Sequence, residues 1–133
     1  MVGYNYKLPN INAALGYAQI KKIHRLVNLK RQLNQKYTNE FLNIPEVEIL
    51  KEKKGSKSNY WLNTIILKGN NYKYRDRIIK ESHRNNIFIR PAWKCLSKNK
   101  YLRNFPKMNL SNTDNLQKRI LNLPSSAHLI SKI

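Results

Sequence analysis

The sequence predicts a small domain of the α/β (α+β) class, in which helices pack against a short sheet. Two patterns predict this class. Apolar residues recur every three or four positions over residues 10–42, and residues 58–67 form a strand-like run whose two alternating faces both carry apolar residues. A chain of 133 residues fits one such domain and is long enough to bury a core of ordinary size.

The first predicted element is a helical region over residues 10–42. Its apolar stripe changes register near residues 21–24, so we expect two helices or one kinked helix. Asn10 is predicted as the N-cap, and Pro45 limits the region because the residue before a proline is disfavoured in a helix. The apolar positions at helical spacing are Ile11, Leu15, Ala18, Leu26, Leu29, Leu33, Tyr37 and Phe41.

Two strands are predicted next, a short one at residues 47–50 and a longer one at residues 58–67, joined by a lysine-rich turn. The longer segment carries apolar residues on both faces, which indicates a central strand. Tyr60 and Trp61 are therefore assigned to the core, with no chemical role.

A helix is predicted from the turn at residues 69–71 to about residues 85–86. Residues 87–89 have the composition of a strand, which Pro91 ends or places at a sheet edge. Residues 92–109 are predicted as loop and short helix, with aromatic side chains that pack back onto the domain: Trp93, Tyr101 and Phe105.

The last predicted element is a helix that begins at Ser111, where Asp114 three residues later resembles a capping box. Pro124 ends this helix. Its predicted apolar face consists of Leu116, Ile120 and Leu123.

The chain is strongly basic, with 26 Lys and Arg against 7 Asp and Glu and a formal net charge of +19. Such an imbalance is typical of partners that are polyanions. The basic residues are spread along the whole chain without an arginine-rich block, so we interpret them mainly as solvated surface residues.

Other features exclude several classes of site. Cys95 is the only cysteine, which rules out an internal disulfide and a Cys-rich metal site. The three histidines lack metal-ligand spacing, and no pair of carboxylates suggests a hydrolase. No early stretch combines a positive n-region with an apolar h-region, and no apolar run approaches roughly 20 residues, so we expect a cytoplasmic location.

Four segments carry a more specific signal: GYNYKLPNINAALGYAQ at residues 3–19, SNYWLN at 58–63, IRPAW at 89–93 and NLPSS at 122–126. Together, in this order, they resemble the C-terminal part of the DegT/DnrJ/EryC1/StrS family of sugar aminotransferases. Within that family they are most similar to the branch that aminates UDP-linked 4-keto-6-deoxy amino sugars for surface glycans.

The resemblance implies the small C-terminal domain of a fold-type I enzyme that uses pyridoxal 5'-phosphate. In the family an amino donor, usually glutamate, provides the amino group for a nucleotide-linked keto-sugar. Residues 1–45 would form an interface segment and a long helix joined to a large domain, and residues 46–133 the small domain. The Schiff-base lysine and its aspartate partner lie upstream in the family, so we expect this chain to be inactive alone and to need a homodimer or a large-domain partner chain.

The resemblance also implies binding residues. Asn5 would reach the cofactor phosphate of the other subunit, and Lys7, where many relatives have arginine, would contact the substrate phosphate. Local sequence alone supports simpler roles, a turn residue for Asn5 and a solvated lysine for Lys7.

Arg90, Trp93 and His128 would lie at the substrate end of the site, because the Arg-Pro-x-Trp loop of relatives approaches it. An arginine beside an aromatic suits a nucleotide sugar, which has both phosphate and a planar base. The alternative for Trp93 is a loop aromatic that covers the core.

Two other functions stay open. The charge and the scattered aromatics Tyr72, Tyr74 and Tyr101 are compatible with a non-catalytic module that binds nucleic acid. A regulatory or scaffold subunit of an intact aminotransferase is the third interpretation.

Overall fold

The structure, a computed structural model, describes residues 6–131, which form a four-stranded antiparallel sheet with helices. The elements in chain order are α1 (Asn10–Ile20), α2 (Ile23–Glu40), β1 (Val47–Ile49), β2 (Asn63–Leu67), a 3₁₀ segment (Gly69–Tyr74), α3 (Arg75–Arg84), β3 (Arg90–Pro91), a 3₁₀ turn (Leu96–Lys98), α4 (Ser111–Arg119), β4 (Ile120–Leu123) and a final 3₁₀ segment (Ala127–Ser131). The predicted α+β class is confirmed.

The sheet has the strand order β1-β2-β4-β3. Strand β2 is central, as predicted, and pairs with β1 on one side and β4 on the other. Apolar side chains from every strand region meet in one core, and each buried side chain of this kind contributes about 1.5–3 kcal/mol. The buried members are Ile49, Ile65, Leu67, Ile89, Leu121 and Leu123.

The two helices at the start of the chain differ in burial. Helix α2 buries Leu33 and Asn34, and its Tyr37 packs against the core cluster. Helix α1 has no buried residue. The predicted break is confirmed, because the two helices are separated at Lys21 and Lys22.

The predicted N-cap is wrong. Asn10 is the first helical residue, the cap position belongs to Pro9, and no side chain caps the helix. The Pro9 carbonyl accepts a hydrogen bond from the Ala13 N–H at 3.0 Å. At this position an N–H group would have no partner within the helix, so the proline costs the helix no hydrogen bond.

The strand predicted over residues 58–67 is shorter and starts at Asn63. The side chains of Ser58 and Asn59 accept hydrogen bonds from the N–H groups two residues later, which favours a turn over a ladder. Tyr60 has a φ of 44°, incompatible with a strand. Trp61 is therefore exposed, and its assignment to the core is wrong.

The C-terminal prediction is also corrected. Helix α4 ends at Arg119, and residues assigned to its last turn form β4. Leu121 and Leu123 alternate toward the core with a period of two, which helical spacing with Leu116 had obscured. Ser111 makes no capping contact, and Asp114 instead pairs with Lys98 at 2.6 Å.

The predicted strand at residues 87–89 is displaced to Arg90–Pro91. Pro91 does lie on an edge strand, because β3 pairs with β4 alone. The aromatic residues of the following loop do not pack against the core cluster. All three are largely exposed: Trp93, Tyr101 and Phe105.

An ion pair joins α2 to the loop before β2. Arg31 donates to both carboxylate oxygens of Glu52, at 2.6 and 3.0 Å, and to the Ser58 carbonyl at 2.6 Å. The Ser58 N–H in turn donates to Glu52 at 2.6 Å. The Arg31 side chain, and then the Ser58 N–H, lower the pKa of the Glu52 carboxyl from 4.5 to about 2.

We predict that Glu52→Gln lowers the melting temperature at neutral pH and weakens its dependence on acid. Because the pKa of Glu52 is depressed on folding, its contribution is present above pH 4.5 and is lost as the pH falls toward about 2. Thermal unfolding at several pH values measures both effects. Glu48→Gln, a change at an exposed carboxylate of β1, is the matched control. Equal acid sensitivity of the Glu52 variant and the wild type would contradict the prediction.

A buried polar pair joins α2 to β2. The Asn34 side-chain amide donates to the Asn63 side-chain oxygen at 3.0 Å, and both residues are buried. The Asn63 backbone N–H donates to the Ser125 hydroxyl at 2.8 Å. This contact therefore fixes the helix against the point where β2 begins, beside the end of β4.

We predict that Asn34→Ala lowers the free energy of unfolding by about 1–3 kcal/mol, because it leaves the buried Asn63 oxygen without its donor. Denaturant unfolding measures this change. Asn39→Ala, at an exposed position of the same helix, is expected to stay within about 0.5 kcal/mol of wild type. Equal losses of unfolding free energy in the two variants would show that the buried pair does not stabilise the domain.

Candidate functional site

The structure positions four of the five residues predicted to bind ligands. Asn5 lies outside the described residues. Lys7 is exposed just before α1, Arg90 lies on the edge strand β3, Trp93 follows it in the loop, and His128 is exposed in the Ala127–Ser131 segment.

Arg90 contributes to the wall of an open cavity of about 960 Å³ between α2, α3 and the sheet. Most of the wall is apolar, with Tyr37 and Phe41 from α2 among its members. One polar part comes from β3, from β4 and from the turn after it, and consists of Arg90, Asn122, Ser125 and Ser126. Ser82 of α3 and Asn86 after it add polar groups on the other side. The cavity thus combines an apolar body with a few polar groups, as ligand sites do.

The sheet brings these polar residues together. Arg90 is the register partner of Asn122, and Pro91 that of Leu121. Thr64 donates its hydroxyl proton to the Asn122 side-chain oxygen at 2.9 Å. The edge strand and the two central strands therefore carry one continuous polar region next to the cavity.

Trp93 forms a stack with Trp61. The ring centroids are 5.9 Å apart with an interplanar angle of 23°, and the two residues are 70% and 64% exposed. The Trp93 carbonyl accepts a hydrogen bond from the Gln117 side chain at 2.9 Å, which ties this loop to α4. The core assignment of Trp61 therefore overlooked a surface pair.

Lys30 connects the tryptophan pair to the polar part of the cavity. Its ammonium group donates to the Ser125 carbonyl at 2.6 Å and to the Trp61 carbonyl at 3.4 Å. Burial lowers the pKa of this lysine. A chain of contacts thus runs from Trp93 and Trp61 through Lys30 to Ser125, which lines the cavity with Arg90.

Sequence reasoning missed Lys30 and Trp61. Lys30 is one of many lysines, and its spacing carries no signal. Trp61 had a signal, because Ser58 and Asn59 precede it and both favour local hydrogen bonds to the backbone over strand pairing.

The side chains of the site are better suited to binding a ligand than to transferring protons. They are cations, hydroxyls, an amide and aromatic rings. Within residues 6–131, no group of three or more His, Cys, Asp or Glu side chains could hold a metal ion. Over the same part of the chain, no helix is long and apolar enough to cross a membrane.

The fold matches solved sugar aminotransferases. Helicobacter pylori PseC, an aminotransferase of pseudoaminic acid biosynthesis, superposes with a TM-score of 0.87 at 21% identity, over 99% of this chain and 37% of that one. A DegT DnrJ EryC1 StrS aminotransferase from Brucella abortus gives 0.82 at 18% identity, over 96% and 33%. The domain therefore has the fold of the C-terminal part of fold-type I sugar aminotransferases.

The chain belongs to the DegT/DnrJ/EryC1/StrS aminotransferase family, which it matches over residues 1–132. It is 33% identical to GDP-perosamine synthase of Vibrio cholerae over 91 residues, which are 68% of this chain and 24% of that protein. It is 27% identical to UDP-4-amino-4,6-dideoxy-N-acetyl-beta-L-altrosamine transaminase of Campylobacter jejuni over 124 residues, 92% of this chain and 33% of that protein. The chain thus spans a quarter to a third of these relatives.

The described residues do not fit a complete site for pyridoxal phosphate, the cofactor of this family. Such a site needs a reactive lysine and an acidic partner for the ring nitrogen. Lys30 is the lysine whose pKa burial lowers, but it is bonded to two carbonyl oxygens. Asp76 is paired with Arg75, and Asp114 with Lys98. Neither Lys30 nor these two aspartates is therefore available to hold this cofactor.

Proposed function

We propose that this chain provides the C-terminal domain of a pyridoxal phosphate-dependent aminotransferase. The assembled enzyme transfers an amino group, from glutamate, to a nucleotide-linked keto-sugar used in surface glycans. One observation carries the proposal: family membership extends over residues 1–132, and the fold agrees along the whole described chain.

The proposal assigns the large domain, with the reactive lysine, to a partner or to a longer form of the protein. Residues 1–45 then form the interface segment and residues 46–133 the small domain. The two curated relatives named above are about four and three times as long as the part matched, which supports a separate large domain. The assembly is cytoplasmic in this proposal, in keeping with the single cysteine.

Substrate contacts in the proposal come from Lys7, Arg90, Trp93 and His128. A guanidinium group such as that of Arg90 binds a diphosphate through charge-assisted hydrogen bonds. Its place on the wall of the cavity, on the same strand region that leads to Trp93, supports the assignment. The roles of Lys7 and His128 rest on the family resemblance and on their exposure.

A direct experiment combines this chain with a lysine-bearing large domain from a relative and supplies glutamate with a UDP-linked or GDP-linked 4-keto-6-deoxy sugar. We expect glutamate-dependent amination by the combination and none by either part. Formation of 2-oxoglutarate and of the amino sugar measures the reaction. A combination that binds the cofactor yet aminates no keto-sugar of either class would contradict the proposal.

Asn5 offers a sharper prediction within that combination. In this proposal the Asn5 side-chain amide donates a hydrogen bond to the cofactor phosphate of the neighbouring subunit. Loss of one such bond to a charged group corresponds to roughly ten- to a hundredfold weaker cofactor binding. Asn5→Ala should show this loss in cofactor titrations, whereas Asn10→Ala, at the first residue of α1, should not. Unchanged affinity would leave Asn5 as a turn residue.

Helix α1 supports the assignment of an interface. Its large apolar residues are mostly exposed: Ile11 (77%), Leu15 (62%), Tyr17 (64%) and Ile20 (66%). A Cβ atom added at Gly16 meets no atom within 4 Å. Exposed apolar surface on both sides of a helix that has no buried residue is typical of an association site. In the proposal, this surface contacts the second subunit and the large domain.

We predict that the isolated chain self-associates through α1. Leu15→Glu should shift it toward the monomer, because a carboxylate cannot be buried unpaired in an apolar contact. Asn12→Glu adds the same charge at a polar position of the helix and should have little effect. Sedimentation across a concentration series measures the association. A strictly monomeric wild-type chain would contradict the prediction.

A further inference from the structure

The exposed tryptophan pair lies outside the hydrophobic core of the domain. Trp61 and Trp93 are the two tryptophans of the chain, and neither belongs to the core cluster or packs against it. Each ring is more than three-fifths exposed although it is stacked on the other. A stack of two indoles with open outer faces is a preformed flat aromatic surface.

The position of this surface is fixed by polar contacts on both sides. The Trp61 N–H donates to the Asn59 side chain at 3.0 Å, and the Trp61 carbonyl accepts from Lys30. The Trp93 carbonyl accepts from Gln117. The surface is therefore held by backbone contacts, which leave the indole rings themselves free to meet a ligand.

A cation without a carboxylate partner contacts the pair. In the described part of the chain, the hydrogen-bond partners of Lys30 are carbonyl oxygens, so no carboxylate neutralises its charge. Arg90 lies on the wall of the same cavity as Ser125, the residue that Lys30 contacts. By contrast, Arg31 next to Lys30 is neutralised by Glu52. A ligand on the aromatic surface thus meets uncompensated cations nearby.

We propose that Trp61 and Trp93 together form a platform on which the nucleobase of a nucleoside diphosphate-linked sugar stacks, with Lys30 and Arg90 attracting its diphosphate. The inference rests on the proposed function for the substrate class, and it adds Trp61 and Lys30 to the residues that recognise it. Stacking on an aromatic ring tolerates any base, because every base has a π-face. The platform therefore contributes affinity and leaves the choice of base to other contacts.

The surroundings favour a nucleotide over a protein partner. The core of a protein interface is depleted in lysine and other charged residues. Here the neighbours are a lysine, an asparagine, a glutamine and a serine, which contact the backbone of the pair or the adjoining turn. A planar, anionic ligand matches both the flat surface and the charge.

The test uses the tryptophan fluorescence of the full chain, which comes from this pair because the chain has no other tryptophan. UDP and GDP are the probes, and excitation at the red edge of the indole band limits absorption by the base. We expect saturable quenching by both nucleotides. Inorganic pyrophosphate, which has the charge without the base, should compete weakly and quench nothing.

Trp61→Leu, which leaves Trp93 as the reporter, should weaken nucleotide binding by about tenfold or more. Trp61→Phe keeps a ring and should stay within about threefold of wild type. Tyr101→Leu removes an exposed aromatic elsewhere and should change nothing. Circular dichroism verifies that each variant is folded.

Three results would overturn the platform: linear quenching equal to that of free tryptophan amide, an equal response to pyrophosphate, or unchanged binding by Trp61→Leu. A blue shift that depends on protein concentration alone, without an effect of nucleotide, would identify the pair as a protein contact and would also overturn it. The measurement needs neither cofactor nor amination. It can therefore fail while the combined enzyme aminates a keto-sugar, or succeed while that enzyme fails.

Discussion

Strands β2 and β4 pair over four residues each, from Asn63 opposite Leu123 to Ile66 opposite Ile120. This pairing builds the core, because Ile65 and Leu121 are register partners and both are buried. It also positions the site. Trp61 lies just before β2 begins, and Ser125 lies just after β4 ends. Because the two strands are antiparallel, both residues lie at the same end of this central strand pair.

Helix α2 depends on the same pairing. Its Lys30, Asn34 and Tyr37 contact groups at that end of the two strands: Lys30 and Tyr37 donate to the carbonyls of Ser125 and Pro124, and Asn34 donates to Asn63. The Asn34 contact is buried and costly to break. Helix, strand ends and site residues are therefore linked, and a register shift between β2 and β4 would displace all of them.

The sequence predicted those elements whose apolar residues fit only one kind of secondary structure. Helix α2 and helix α3 follow from helical spacing, and the central place of β2 follows from apolar residues on both faces. Strand β4 was missed because Leu116, Ile120 and Leu123 fit helical spacing, while only the pairing with β2 reveals the alternation of Leu121 and Leu123. Whether such a short apolar run forms a helix or a strand depends on its tertiary contacts.

The same limit applies to the site. Motifs directed attention to Arg90 and Trp93, which do lie near one cavity and one aromatic pair. Lys30 could not be found in this way, since its neighbours Trp61 and Ser125 are 31 and 95 positions away in the sequence. The net charge of +19 was equally uninformative by itself, because it does not show which cations lack a carboxylate partner.

The break between α1 and α2 at Lys21 and Lys22 separates two parts of the chain that differ in local stability. Helix α1 has 11 residues and buries none of them, and isolated helices below roughly 12–15 residues are marginal in water. Its amide protons should exchange at nearly the rate of an unstructured peptide, while those of α2 share the protection of the core. Binding of a partner to α1 would then include the free energy of ordering a helix, which makes assembly and local folding a single thermodynamic step.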